Sequence, residues 1–148
     1  MRVPRPSLED LVEIYEINQV LNLYSTAVNR GRFDLFDDCF ASSVHIENQA
    51  GVFTTRDEFR SLCIARDTFL DANFHMIGNV SITVMEHRAT AFSYVLSQHV
   101  RNTFAPNHHY LIGGWNDDVL EYQGGRWLIV RRTQTQVWSD GNPDILHE

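Results

Sequence analysis

From residue 74 to residue 138 the chain consists almost entirely of long segments with the residue pattern of β-strands. Each segment is rich in β-branched and aromatic residues and alternates apolar with polar positions. Turn-forming residues separate the segments: His87-Arg88, then 102–107, then Gly124-Gly125. Long strands joined by short turns predict an antiparallel sheet, and this requirement constrains the fold most. The predicted strands are 74–86, 89–102, 108–122 and 127–138.

The residues before this region have helical spacing instead. Ser7 is a candidate N-cap, with Asp10 three residues later, and the apolar positions that follow recur with a helical period. Gly31 is a good candidate for the left-handed position after a helix. The pattern therefore predicts a long first helix that begins after Ser7 and ends near Gly31.

Shorter elements follow the first helix. Apolar residues over 33–40 predict a short second helix, and residues 43–48 alternate as a short strand. Thr55 and Glu58 form a capping-box pattern that starts a third helix.

Helices followed by a run of strands is the order typical of α+β proteins. We therefore predict one domain over residues 1–148, with its core over about 8–138. Three N-terminal helices packed on one face of long, curved, mostly antiparallel strands predict a cone-shaped α+β barrel that encloses a pocket.

Charge and composition exclude several functions. The net charge is −7 and the basic residues are scattered, which argues against nucleic-acid binding and against a polybasic membrane anchor. No apolar run approaches the roughly 20 residues that a membrane span needs. Residues 1–7 have no apolar signal core, so we expect a cytoplasmic protein. Cys39 and Cys63 lie in apolar helical settings and are predicted to be buried free thiols.

His75 is a polar side chain in a segment that otherwise reads as the buried start of a strand. Its neighbours are Phe74 and Met76, and apolar alternation continues through Val80. A buried polar group without a hydrogen-bond partner costs about 1–3 kcal/mol, so something must pair with this imidazole. The partner decides between a catalytic base and a core histidine bonded to a backbone carbonyl.

Strand parity predicts which other side chains face the pocket. The odd positions from 89 to 101 carry mostly small residues and then His99, which suits a cavity wall better than a filled core. Gly113-Gly114 in mid-strand predicts a bulge or a close approach by another group. The candidate polar groups are His75, His99, Tyr24, Asn29, Asn48, Asn116 and one of His108 or His109.

Five stretches, in their order along the chain, resemble a known family. They are 25–34 (STAVNRGRFD), 74–79 (FHMIGN), 93–101 (SYVLSQHVR), the pair Gly113-Gly114 and 125–127 (GRW). Together they are similar to the SnoaL-like polyketide cyclase group of the nuclear transport factor two-like superfamily. The scytalone dehydratase and lindane dehydrochlorinase branches are the nearest.

The resemblance implies a cofactor-free lyase or isomerase, of dehydratase, isomerase or cyclase type, that acts on a small hydrophobic cyclic or aromatic molecule. It also implies a homodimer or homotrimer. The catalytic base would be His75, and the aspartate that pairs with it in the dehydratase-like branches is Asn29 here. A second histidine matches His99, a substrate-contacting asparagine matches Asn116, and Asn48 stands where the dehydratase has a tyrosine.

Other interpretations remain open. Because Asn29 has no negative charge, the alternative is a non-catalytic module on the same fold that binds a small ligand or serves assembly, and by analogy a subunit of a larger oxygenase. Two other carboxylates could take the place of the missing aspartate, Asp34 and Glu47, although helix capping is the simpler role for Asp34. Tyr24 would donate a hydrogen bond to a substrate oxygen, although a tyrosine on a helix stripe more often packs. No metal is predicted, since the sequence has neither His-x-x-x-His nor Cys-x-x-Cys spacing; the seven histidines leave a three-histidine metal site in the pocket as an alternative.

Overall fold

The computed structural model describes residues 5–148. The prediction that residues 1–7 contain no signal core therefore lies mostly outside the described residues. Helix α1 is Leu8–Asn29. Its first turn has the predicted capping box: the Ser7 hydroxyl accepts from the N–H of Asp10, and the Asp10 carboxylate accepts from the N–H of Ser7, both at 3.0 Å. Gly31 follows the helix with φ of +64°, which confirms the left-handed position.

The next two elements differ in part from the prediction. The second helix is a 3₁₀ helix, Phe33–Asp38. It ends early because Phe40 already pairs with Ile129 of the last strand, so that strand β1 is Phe40–Asn48 and begins before the predicted position 43. Strand β2, Gly51–Phe53, was not predicted, because three residues are too few to show alternation.

Helix α2 is Arg56–Asp67 and starts at the predicted cap. The Thr55 hydroxyl accepts a hydrogen bond from the N–H of Glu58 at 3.1 Å. Within residues 5–148, no helix has both the length and the apolar character needed to cross a bilayer.

The four long strands are confirmed, with ends that move by up to three residues. Two short 3₁₀ helices, Asn102–Phe104 and Pro143–Leu146, follow the second and the fourth of them. The strands are β3 Ala72–Met85, β4 Arg88–Val100, β5 His109–Gln123 and β6 Arg126–Gly141.

The six strands form one mixed sheet in the order β2-β1-β6-β5-β4-β3. Neighbours are antiparallel except β1 and β6, which are parallel. The prediction of helices packed on a mostly antiparallel sheet is therefore confirmed, whereas the prediction that the sheet closes into a barrel is wrong. Within residues 5–148 the sheet ends at β2 and at β3, because β2 is short and the free edge of β3 is covered in part by the end of α1.

The predicted irregularity at Gly113-Gly114 is present. The register between β5 and β6 shifts between these two residues. A Cβ atom at Gly113 would overlap the indole of Trp138, and one at Gly114 would overlap the carbonyl oxygen of Thr135. Both predicted causes, a bulge and a close approach, therefore apply.

Strand β4 confirms the predicted parity. Its odd positions, from Ala89 to His99, are all at most 4% exposed, whereas Tyr94 and Leu96 on the other face are 49% and 47% exposed. The buried face packs toward the helices, where an aromatic cluster fills the core. In this cluster Tyr24 of α1 and Phe59 of α2 have ring centroids 6.4 Å apart, and Phe36 and Phe40 pack against both.

Candidate functional site

A cavity of about 220 Å³ lies between the two α-helices and the inner face of the sheet. Four of the predicted polar residues line it: Tyr24, Asn48, His75 and His99. Its wall also includes residues that were not among the predicted site residues: Leu62, Cys63, Arg66, Asn73, Gln134, Gln136, Pro143, Leu146 and His147.

Asn29 contacts His75, but through the backbone and not through the imidazole. Its Oδ1 accepts from the N–H of His75 at 2.6 Å, and its Nδ2 donates to the carbonyl oxygen of His75 at 3.0 Å. The side chain thus imitates a neighbouring strand at the free edge of β3. The carboxamide of Asn29 therefore does not pair with the imidazole of His75, because both of its polar atoms are hydrogen-bonded to the backbone.

The imidazole of His75 lies between two other rings. Its centroid is 6.1 Å from that of Tyr24 and 5.8 Å from that of His99, and both contacts are edge-to-face. Its Nδ1 is buried and has no hydrogen-bond partner among the described residues. Burial, followed by the charges of nearby groups including Arg132 and Arg66, lowers the pKa of His75 to about 3. The ring is therefore neutral at pH 7.

His99 has a fixed tautomer. Its Nδ1 lies 3.2 Å from the carbonyl oxygen of Tyr110. Since a carbonyl can only accept, Nδ1 carries the proton and Nε2 keeps a free lone pair. Burial lowers the pKa of His99 to about 4, despite the opposing effect of this hydrogen bond.

No carboxylate in the described part of the chain forms an ion pair with either imidazole. The two acidic residues considered above are engaged elsewhere: Asp34 with Arg32, and Glu47 with His45 at 2.9 Å. The histidine pair therefore lacks the negative charge that a dyad would supply.

A buried ion pair lies behind Tyr24. Arg132 donates from Nε and Nη2 to the two carboxylate oxygens of Asp118, at 2.7 and 2.8 Å, and these side chains are 4% and 0% exposed. The guanidinium also lies over the Tyr24 ring, 4.5 Å from its centroid. Burial raises the pKa of Tyr24, so its hydroxyl stays protonated and available as a donor. Sequence reasoning missed this pair, although parity does put Asp118 on the face of Asn116.

The two remaining asparagines have structural surroundings. The Oδ1 of Asn48 accepts from the N–H of Ala50 at 2.8 Å, which stabilises the turn between β1 and β2 at the rim of the cavity. Asn116 is 1% exposed and lies opposite Ser93 in the core, outside the cavity wall. The wall uses only the start of β5, up to Ile112, and Asn116 lies about 13 Å further along the strand.

Arg66 is the charged residue of the wall that sequence reasoning missed. A helical signal was available, because Phe59, Leu62, Cys63 and Arg66 follow one another at the spacing of a single helix face.

The C-terminal 3₁₀ helix closes another side of the cavity. Pro143, Leu146 and His147 line the cavity, and Ile145 between them is fully buried. The Arg101 guanidinium donates to the carbonyl oxygens of Ile145 at 3.4 Å and of His147 at 2.7 Å, which holds this segment in place.

The other candidates lie apart from the cavity. Neither His108 nor His109 lines it, and their rings are 4.0 Å apart because β5 begins only at His109. Cys39 and Cys63 are both free thiols as predicted, with Cys39 buried and Cys63 half-buried at the cavity wall. Burial raises the pKa of each thiol to about 12, so neither is a reactive thiolate at pH 7. Within residues 5–148 there is no cluster of three or more histidine, cysteine or carboxylate ligands suited to a metal ion.

Comparison with known proteins identifies the fold and the group. The family model of the SnoaL-like domain matches residues 9–133. An uncharacterised protein of Mycobacterium tuberculosis strain H37Rv is 26% identical over 139 residues, which cover 89% of this chain and 90% of the relative.

Solved structures agree with this match. A scytalone dehydratase-like protein from Novosphingobium aromaticivorans superposes with a TM-score of 0.81 at 21% identity, covering 90% of this chain and 89% of that one. A hexachlorocyclohexane dehydrochlorinase of type 2 gives 0.81 at 12% identity, covering 91% and 92%. A nuclear transport factor 2-like superfamily protein from Salmonella enterica serovar Typhimurium gives 0.75 at 14%, covering 86% and 92%. At these identities the likeness concerns the fold.

Proposed function

The chain belongs to the SnoaL-like domain family, and from that membership we propose that it is a cofactor-free enzyme in which His75 moves a proton on a small hydrophobic cyclic or aromatic substrate. The observation that carries the proposal is the pair of neutral imidazoles, His75 and His99, at the wall of a cavity lined by both apolar and polar side chains. The names of two structural neighbours, a dehydratase and a dehydrochlorinase, support an elimination reaction.

The proposed chemistry begins with a C–H bond made acidic by a neighbouring carbonyl or leaving group. The neutral ring of His75 accepts the proton, and the electron pair of the C–H bond forms a double bond as the leaving group departs. In an isomerisation the same proton would return to another carbon. The Tyr24 hydroxyl donates to a substrate oxygen, and Nε2 of His99 accepts from a substrate hydroxyl. Asn116 has no contact with the cavity, so the proposal gives it no role at the substrate.

Asn29 acts as a positioning residue in this proposal. Its two hydrogen bonds fix the backbone of His75 relative to the end of α1, and hence the place from which the imidazole enters the cavity. Asn48 does the same for the β1–β2 turn at the rim.

One observation favours a second candidate function, a non-catalytic module that binds a small ligand in the same cavity. No carboxylate of the described residues stabilises the imidazolium that His75 would become. In a serine protease, removing the charge of the carboxylate behind the catalytic histidine lowers the rate by about 10⁴.

Hydrogen–deuterium exchange separates the two candidates without knowledge of the natural substrate. A bicyclic ketone with acidic C–H bonds, 2-tetralone, is incubated with the protein in D₂O, and loss of the α-proton signals is followed by NMR. We expect exchange faster than in buffer alone. The replacement His75→Ala should lower the catalysed rate by about 10²–10⁴, the usual contribution of a general base.

The matched control is His87→Ala, which removes an exposed histidine at the far end of β3 and should leave the exchange rate unchanged. Far-ultraviolet circular dichroism checks that both variants fold. Equal exchange in wild type and His75→Ala would overturn the assignment of the base. Binding of 2-tetralone without exchange, with only its affinity changed in His75→Ala, would favour the binding module.

We also propose that the chain forms a homodimer or homotrimer in the cytoplasm, without nucleic-acid or membrane partners. The outer face of β3 and β4 carries Phe74, Met76, Tyr94 and Leu96, each 47–56% exposed, and exposed apolar patches of this kind mark interfaces. Sedimentation velocity should give two or three times the chain mass of 17.1 kDa. A monomer would contradict this part of the proposal.

A further inference from the structure

Two arginines lie near the histidine pair, and only one of them is neutralised. Arg132 donates from Nε and Nη2 to the carboxylate of Asp118, which neutralises its charge, and only its Nη1 is without a hydrogen-bond partner among the described residues. Arg66 lines the cavity, and no carboxylate of residues 5–148 forms an ion pair with it. Its Nε is buried and has no hydrogen-bond partner among the described residues.

The Nε atoms of Arg56 and Arg60 on the same helix, α2, are also buried without a hydrogen-bond partner in the described part of the chain, so what sets Arg66 apart is its lack of an ion pair there. The other two arginines of the helix, Arg56 and Arg60, both form ion pairs with Asp37 on the 3₁₀ helix. Arg66 points to the cavity side instead, where the wall contains no aspartate or glutamate. The cavity therefore has one fixed positive charge in a protein whose net charge is −7.

A cation in such a place is poorly solvated. Burial lowers the pKa of Arg66 from its ordinary value, because the partly enclosed wall disfavours the charged form. A guanidinium nevertheless stays charged at neutral pH. An anionic group on a ligand would offset this unfavourable environment and would occupy the unpartnered donors.

We propose that the ligand is an acid, a small cyclic or aromatic molecule whose carboxylate pairs with Arg66 while its ring fills the rest of the cavity. The inference rests on the proposed function only in assigning this cavity to the substrate. A cavity of about 150 Å³ holds benzene, so 220 Å³ suits one or two rings.

The carboxylate would also supply a charge that the histidine pair lacks. Arg66 is among the charges that lower the pKa of both His75 and His99. A bound anion at Arg66 cancels that effect and makes it easier for His75 to hold a proton during the reaction. The ligand, and not the protein, would then provide the negative charge near the base.

Isothermal titration calorimetry at pH 7 with two isosteric probes tests the proposal. The probes are naphthalene-2-carboxylate and naphthalene-2-carboxamide, which differ in charge and hardly in shape. We expect the wild type to bind the carboxylate at least about tenfold more tightly than the carboxamide, because its hydrogen bonds to Arg66 are charge-assisted. Arg66→Gln should weaken the carboxylate about 10- to 100-fold and the carboxamide less than about twofold.

Arg88→Gln is the matched control, because it removes the same charge from an exposed side chain about 35 Å along β4 from His99. It should change neither affinity by more than about twofold. Arg66→Lys keeps the charge without the planar fork and should fall between wild type and Arg66→Gln, which secures the test if the glutamine variant does not fold.

Three results would overturn the inference: a wild type that does not prefer the carboxylate, an equal loss for both probes in Arg66→Gln, or an equal loss in Arg88→Gln. His75→Ala distinguishes this failure from failure of the proposed function. If that variant keeps the preference for the carboxylate while the wild type exchanges no protons of 2-tetralone, the acid-binding site stands without the catalytic assignment.

Discussion

The replacement Asn29→Asp tests how the end of α1 is attached to the edge of β3. At first sight it restores the carboxylate of a histidine–aspartate dyad, but the structure predicts a different effect. One carboxylate oxygen would still accept from the N–H of His75, whereas the other would face the carbonyl oxygen to which Nδ2 now donates at 3.0 Å. Two acceptors would then lie against each other in a partly buried place.

The magnitude follows from the two hydrogen bonds. Losing the donor leaves a carbonyl unsatisfied, at a cost of about 1–3 kcal/mol, and the remaining bond becomes charge-assisted, which returns about 1 kcal/mol. These two effects together leave a loss of about 0–2 kcal/mol. Repulsion between the two facing acceptors adds to it, so we expect a net destabilisation of about 1–2 kcal/mol, or a fall in Tm of about 2–8 °C for a chain of this length. Urea denaturation followed by circular dichroism at pH 7 measures it.

The dependence on pH identifies the cause. A protonated carboxyl can donate to the carbonyl of His75, so the folded state raises the pKa of the introduced group above its unfolded value of about 3.9. The destabilisation relative to wild type should be complete above the folded-state pKa and should shrink as the pH falls toward 4. Asn29→Ala, which loses both bonds at every pH, is the control. A variant Asn29→Asp as stable as wild type at pH 7, or a loss that does not change with pH, would refute this reasoning.

Three further predictions concern the site and the sheet. His75 and His99 should show no NMR titration of their Cε1–H groups from about pH 8 to pH 5, because burial lowers their pKa to about 3 and about 4. The unfolded chain binds these two protons near pH 6.5, so the free energy of unfolding should fall as the pH drops below that value. Asp118→Asn should destabilise the protein by about 3–5 kcal/mol in urea denaturation, because it leaves Arg132 buried without its counter-charge. Gly114→Ala should cost at least about 1–3 kcal/mol in the same assay, because its methyl group would overlap a backbone carbonyl of β6.

Each of these has a contrasting result. A titration midpoint between pH 6 and 7 for either imidazole would show that its ring is solvated. A loss below about 1 kcal/mol in Asp118→Asn would show that Arg132 reaches water. Gly78→Ala is the control for the sheet, since a Cβ atom there meets nothing within 4 Å, and the backbone explanation fails if both alanine variants are equally stable.

Local patterns of the sequence were sufficient where the interactions are local. The cap at Ser7, the left-handed Gly31 and the buried odd positions of β4 all depend on residues within a few positions of one another. Such features were predicted because helix and strand periods decide them without knowledge of the tertiary fold.

Contacts between distant elements could not be predicted in the same way. The family resemblance implies that Asn29 and His75 are neighbours, but whether the carboxamide contacts the ring or the backbone depends on where α1 ends along β3. The Asp118–Arg132 pair depends on the register of β5 and β6, which shifts at Gly113-Gly114 and again between Val119 and Leu120. The share of the wall supplied by residues 143–147 depends on how the chain turns after its last strand.

That last share of the wall has a practical consequence for experiments. His147 lines the cavity, so a group attached at or directly after this residue would lie beside the site of the proposed ligand. An affinity tag or reporter attached there could displace the two hydrogen bonds from Arg101 that hold residues 143–147. Affinities measured on such a fusion would describe an altered cavity, so the fusion should be cleaved before the acid and amide probes are compared.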